Sequence, residues 1–156
     1  MTKLDEKLNG IKTVGISGHV RPDGDCVGST LAVYNYISSY YPEITVDLYL
    51  ESIPDVFSFL KNADKIHHSF EDDKQFDLFI VLDCGDEGRL GPTVKYFDAA
   101  KQTFCIDHHV SNKAFADDNY IYPDVSSTCE LVFDLLDTDK ITKEIAVSYA
   151  VNPDVL

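Results

Sequence analysis

The chain has no run of about 18 apolar residues, the length at which a segment reads as a membrane-spanning helix. Its polar start, MTKLDEKLNG, lacks the apolar centre of an export signal. These two absences set the expectation of a soluble, cytoplasmic protein with no membrane partner. A C-x-x-C pair is also missing, because Cys26, Cys84, Cys105 and Cys129 stand far apart. Without an export signal the four are read as reduced thiols rather than as two disulfides. Basic residues are scarce, 13 Lys and Arg against 27 Asp and Glu, for a formal net charge of −14. That deficit argues against a surface that grips duplex nucleic acid by counterion release. A small anionic substrate stays open, since bound cations invert the local field of an acidic pocket. No repeat, low-complexity tract or interior linker interrupts the 156 residues, and 44% hydrophobic content over that length suffices for one core.

What is present is an alternation of helical and strand patterns. LDEKLNG predicts a short helix closed by Gly10, and KTVGIS, residues 12–17, a short buried strand. After a Gly/Pro-rich loop, VGSTLAVYNYISSYY carries apolar residues at helical spacing and stops at Pro42. ITVDLYL, 44–50, alternates like a strand, and IPDVFSFLKNADKI predicts a helix after Pro54. FDLFIVLD, 76–83, is a nearly continuous apolar run suited to a strand covered on both faces. GPTVKYFDAAK predicts a helix and TFCID, 103–107, a strand. Ser127 with Glu130 forms a capping box that opens STCELVFDLLD, and ITKEIAVSYAV gives a last helical pattern. The fold expected is one α/β domain: an open, Rossmann-like parallel sheet of about five strands, flanked by helices on both faces.

Three predicted strands run into polar residues of one kind. KTVGIS leads to His19, Asp23 and Asp25; FIVLD ends on Asp83, with Asp86 and Glu87 beyond; TFCID ends on Asp107, followed by His108 and His109. In open α/β sheets ligands bind outside the carboxyl ends of the strands, so these groups converge on one rim. Imidazole mixed with carboxylate suits divalent first-row metals, Mn²⁺ among them. Four acids and two histidines exceed the needs of one ion and repel one another if left empty. Two cations about 3.5–4 Å apart would satisfy them. Gly24 is read as allowing a tight fold between the two aspartates. Gly28 and Ser29 are read as opening the next helix, a phosphate site for substrate. Bland readings stand beside these: PDGD alone is a turn, a strand-end aspartate commonly caps a helix, and His67-His68 is solvated surface.

The stretches HVRPDGDCVGS, VLDCGDEGRLG and IDHHVSN resemble the first three motifs of the DHH phosphoesterase superfamily, in order and on strands. The PDGD form and the DHHVSN wording are most similar to its nano-RNase (oligoribonuclease) and pAp-phosphatase branch. That resemblance implies a hydrolase of phosphate esters with two manganese ions, Mg²⁺ or Co²⁺ being possible substitutes. By motif, His19 and Asp23 would bind one metal, Asp25 and His108 the other, and Asp83 would bridge both. His109 would lie near the substrate phosphate, Asp107 would orient the histidine pair, and Arg89 is a candidate phosphate contact. The implied substrates are short RNA oligonucleotides or small phosphorylated nucleotides such as 3′-phosphoadenosine 5′-phosphate.

Two departures from the family pattern shape the expectation. Where the fourth motif would supply another aspartate, the sequence reads VSYAVNPDVL, and Asp154 does not sit in the family's pattern. The DHHA1-type domain that follows in relatives is likewise expected to be missing. Residues 1–156 are therefore expected to be a DHH catalytic domain truncated before the fourth motif, at best a weak hydrolase. An uncovered apolar face would favour self-association into a homo-oligomer. The competing readings are a pyrophosphatase, a cyclic-dinucleotide phosphodiesterase, or a non-catalytic metal-binding remnant.

Overall fold

Among the described residues five short strands make one sheet in the order β2-β1-β3-β4-β5. They are β1 (Thr13–Ser17), β2 (Thr45–Tyr49), β3 (Leu78–Leu82), β4 (Gln102–Asp107) and β5 (Asp118–Ile121), and every pairing is parallel. The computed structural model describes residues 2–143, 145 and 146. The expected helical pattern ITKEIAVSYAV falls largely outside the described residues, as does Asp154.

Side-chain alternation splits the core into two faces. On one face Val14, Ile16, Leu78, Ile80, Leu82, Phe104 and Ile106 pack against α1 (Lys3–Leu8), α2 (Gly24–Tyr40) and α4 (Thr128–Leu135). On the other, Phe76, Phe79, Val81 and Tyr49 pack with Tyr96 and Phe97 of α3 (Val94–Ala99). The central strand, LFIVL, is buried throughout because it is covered from both sides. At Gly15 an added Cβ would meet the Phe79 and Phe76 rings at 2.5 and 2.7 Å, so only glycine lets those aromatics close over β1. Each fully buried aliphatic or aromatic side chain contributes about 1.5–3 kcal/mol.

The helix α2 starts three residues before the point expected from its apolar spacing. Asp23 is its N-cap and accepts from Cys26 N, which brings Gly24, Asp25 and Cys26 into the first turn. Gly24 has no positive φ, so the tight fold expected there is an ordinary capped helix start. The helix expected over IPDVFSFLKNADKI is instead two 3₁₀ turns, Asp55–Phe57 and Ala63–Lys65. Val56 and Phe59, 69% and 68% exposed, have no neighbour to bury against, and Asn62 takes a left-handed φ of 66° between the turns. Helix α3 starts at Val94, because Gly91 sits at φ 57°, ψ −129° outside any helix. Strand β5 pairs with β4 from Phe104–Asp118 to Asp107–Ile121. Its sequence, DNYI, is too short and too polar at its start to signal a strand alone.

Candidate metal centre

The chain leaves β1 toward β2 on one side and returns to β3 on the other, so β1 and β3 flank the point where the winding reverses. Carboxyl ends of strands at such a point form a crevice. Into it run the loop after β1, Asp83 directly after β3, and the last residue of β4, Asp107, with His108 and His109 behind it. Asp83 holds a φ of 57°, a left-handed conformation that an aspartate tolerates at some cost and that is common at functional sites.

Two histidines aim at the same carboxylate. His19 Nδ1 lies 2.6 Å from Val20 O, so it donates there. That leaves Nε2 facing Asp23 Oδ1 at 3.5 Å and Asp83 Oδ2 at 3.4 Å. On the opposite side His108 Nε2 lies 3.5 Å from Asp25 Oδ2 and 3.7 Å from Asp83 Oδ1. His109 Nδ1 donates to Asp107 Oδ1 at 2.6 Å and is 4.0 Å from Asp83 Oδ1. Asp83 is thus the one carboxylate between the two imidazole groups, and it belongs to both close donor sets, His19–Cys26–Asp83 and Asp83–His108–His109.

Several site residues have a further structural task. Asp25 sits at the N-terminus of α4, accepting from Thr128 N at 3.0 Å and Cys129 N at 2.9 Å. Thr128 Oγ1 donates to Asp83 Oδ1 at 3.2 Å. Asn112 Nδ2 donates to Asp107 Oδ2 at 2.9 Å and also reaches Cys84 O at 3.3 Å. Thr128, Cys129 and Asn112 escaped the sequence reading, although Asn112 closes the IDHHVSN stretch and Thr128 follows the capping serine. Asp107 orients His109 and not the histidine pair, because His108 turns toward Asp25 and Asp83. Ser29 does not reach the crevice. With α2 opening at Gly24 it lies in the second turn, fully buried, its hydroxyl directed at Cys26 O. Asp86 and Glu87 turn away, Asp86 capping the Glu87–Thr93 turn. Arg89 is exposed, with its guanidinium 3.4 Å from His19 Nδ1. Since that nitrogen already donates to Val20 and arginine only donates, this is proximity rather than a hydrogen bond.

The charges explain one another. Burial pushes the Asp83 carboxyl up to about 7, with Asp25 and Asp23 adding to the rise and the His19 hydrogen bond opposing it. Burial alone would lower His19, but the hydrogen bonds to Asp23 and Asp83 overcome it and raise the imidazole to about 10. The bond from His19 holds Asp23 down to about 2. The His19 imidazolium therefore stands as a positive charge against Asp23 and Asp83. Its separations of 3.4 and 3.5 Å are long for hydrogen bonds. Donor atoms about 2.0–2.2 Å from a common ion stand roughly 3.0–3.5 Å apart by simple geometry. The donor set, its spacing and its surplus of negative charge all fit a divalent cation.

The family description "DHH family, N-terminal domain" matches residues 13–151. Among curated proteins, a probable bifunctional oligoribonuclease and PAP phosphatase NrnA of Streptococcus mutans is 28% identical over 130 residues, 82% of this chain and 39% of that protein. The bifunctional oligoribonuclease and PAP phosphatase NrnA of Bacillus subtilis is 27% identical over 136 residues, 86% of this chain and 41% of that protein. Among solved structures, an exopolyphosphatase-related protein of Bacteroides fragilis superposes with a TM-score of 0.85 at 25% identity, over 95% of this chain and 47% of that one. The chain spans less than half the length of each of these relatives.

Proposed function

The chain belongs to the DHH family, and on that premise we propose that it is a phosphoesterase of short oligoribonucleotides, of 3′-phosphoadenosine 5′-phosphate, or of both, working with two divalent ions, preferably Mn²⁺. The observation that carries this reading is the position of Asp83, within reach of His19 on one side and His108 on the other. The names of the Streptococcus and Bacillus relatives support the substrate class. Bound divalent cations would polarise the phosphate and supply an acidified water.

The chain's own residues have separate tasks on this reading. His19 and Asp23 hold one ion, Asp25 and His108 the second, and Asp83 both. Val20 O fixes the His19 ring so that Nε2 faces the crevice. Asp107, itself fully buried, keeps the His109 Nδ1 occupied and so leaves Nε2 for a phosphate oxygen or for a proton to the leaving oxygen. Arg89, at the rim, is within reach of the negative charge of the substrate. Four free, buried cysteines support a reducing, cytoplasmic setting. Among the described residues no helix is long and apolar enough to cross a membrane. Weak turnover by these 156 residues alone is part of the proposal.

The test is Mn²⁺-dependent release of mononucleotides from an RNA dinucleotide, and of phosphate from 3′-phosphoadenosine 5′-phosphate, with Asp83→Asn as control. Turnover lost in the variant supports the reading, and equal turnover in the two proteins refutes it. A second reading, hydrolysis of inorganic pyrophosphate or short polyphosphate, is favoured by the likeness to the exopolyphosphatase-related structure. Those compounds belong in the same substrate panel, where phosphate release from them alone would replace the nucleotide reading.

A further inference from the structure

Cys26 differs from the other three cysteines. Cys84 Sγ donates to Asp86 O, Cys105 Sγ lies between Cys84 O and Asn112 Nδ2, and Cys129 Sγ faces Asp25 O. The Cys26 sulfur instead accepts from the backbone N–H of His19, and it is fully buried. It lies in the first turn of α2, next to Asp25, with its Sγ, a His19 ring nitrogen and an Asp83 carboxylate oxygen all within 4.8 Å of one another. The residue before His19 makes room for it: a Cβ on Gly18 would stand 2.3 Å from Cys26 Sγ. A cysteine kept only as a small apolar filler has no reason to lie against an imidazole and a carboxylate.

We propose that Cys26 is a sulfur donor to the His19–Asp83 half of the centre, giving that half a preference for thiophilic cations such as Zn²⁺, Co²⁺ or Cd²⁺ over Mg²⁺ and Mn²⁺. The proposal rests on the cation-binding reading of the centre and refines it, confining the Mn²⁺ preference to the His108 half. Oxygen donors suit Mg²⁺ and Mn²⁺, whereas thiolate with imidazole selects softer or borderline ions. On binding, a sulfur–metal bond forms, the S–H bond breaks, and the proton leaves to solvent. The second close donor set, Asp83–His108–His109, contains no sulfur, and Cys129 Sγ is engaged in hydrogen bonding to Asp25. The two halves thus differ in the ion they favour.

The experiment is a Co²⁺ titration of the reduced, chelator-treated chain, read by absorption. Visible ligand-field bands report bound cobalt, and a sulfur-to-cobalt charge-transfer band in the near ultraviolet reports a thiolate ligand. Wild type should show both. Cys26→Ser and, as a second variant, Cys26→Ala should keep the visible bands and lose the near-ultraviolet one, while Cys105→Ala keeps both. Preference for Cd²⁺ over Mn²⁺ in competition should fall on the order of tenfold to a hundredfold in the Cys26 variants, the scale on which lost support of a metal site is felt. Visible bands without the charge-transfer band in wild type would overturn the sulfur ligand and leave the cation site standing. Persistence of the band in Cys26→Ser would equally overturn it. Absence of any cobalt spectrum would overturn both this proposal and the reading beneath it.

Discussion

Replacing Asp83 by asparagine should have opposite consequences with and without a divalent cation. The substitution keeps the side-chain shape, and asparagine tolerates the left-handed φ of 57° at this position at least as well as aspartate. Backbone strain is therefore unchanged, and the experiment isolates one negative charge. In chelator that charge sits buried beside Asp25 and Asp23, which is why the carboxyl is pushed up to about 7. Removing it relieves repulsion but takes one partner from the His19 imidazolium, so the cation-free stabilities should agree within about 1 kcal/mol. With Mn²⁺ at a hundredfold its Kd, a protein with one competent site gains about 2.7 kcal/mol. For a chain of this size that is a rise of roughly 5–11 °C in Tm. Wild type should show this rise in thermal melts followed by circular dichroism, and Asp83→Asn should show less than about 1 kcal/mol of it. A full Mn²⁺-dependent rise in the variant would refute the central place given to Asp83. A change of several kcal/mol in chelator, in either direction, would refute the balance of repulsion and pairing argued for the carboxylate there.

The pH dependence of the cation-free protein follows from the same charges. His19, raised to about 10, stabilises the fold fully below its ordinary value and loses that contribution as the pH rises through 10. Asp83, raised to about 7, adds a cost as it ionises in the same direction. Urea melts in chelator should therefore give falling stability from pH 6 to pH 10, and a flat or rising profile would contradict it. Asn112→Ala removes the donor to Asp107 Oδ2 and loosens the support of His109. Hydrolysis should drop about tenfold to a hundredfold with Mn²⁺ binding little changed, a split read by activity against calorimetry. Gly91→Ala forces a side chain onto φ 57°, ψ −129° and to within 2.5 Å of Val20 Cγ1. It should cost at least about 1–3 kcal/mol in chemical denaturation and weaken metal binding by moving the loop that carries His19, which Val20 N ties to Arg89 O.

The strands and the acids at their ends were legible because each is a local signal. FIVL is apolar enough to be covered on both faces, and the first polar residue after it, Asp83, has to stand at the sheet's edge. The same logic places His19 after β1 and Asp107 at the end of β4. What escaped depends on contacts between distant segments. Nothing near Asp25 announces that its oxygens meet Thr128 and Cys129, because that meeting depends on α4 docking against α2. The apolar spacing through Val56 and Phe59 resembles a helix, but no surface comes to cover it, and two 3₁₀ turns result. PDGDC has the composition of a loop, yet most of it belongs to the start of α2. Once Asp23 caps the helix, every later residue moves further into it, and Ser29 turns inward to the core.

The two halves of the centre differ in how their carboxylates are spent. Asp23 uses one oxygen to cap α2 and keeps a side chain 66% exposed, so it has lone pairs free for a ligand. Asp25 is 12% exposed and gives both oxygens to backbone N–H groups of α4. Those bonds fix the orientation of the carboxylate at the N-terminus of α4. Asp25 is therefore the preorganised carboxylate and Asp23 the adaptable one. Asp83 stands between them, fixed from the α4 side by Thr128 and from the β1 side by His19. A cation entering beside Asp23 must displace the His19 proton, which those same carboxylates hold tightly. Metal binding at the His19 half should therefore release a proton, and the loop after β1 is the part of that half best placed to adjust.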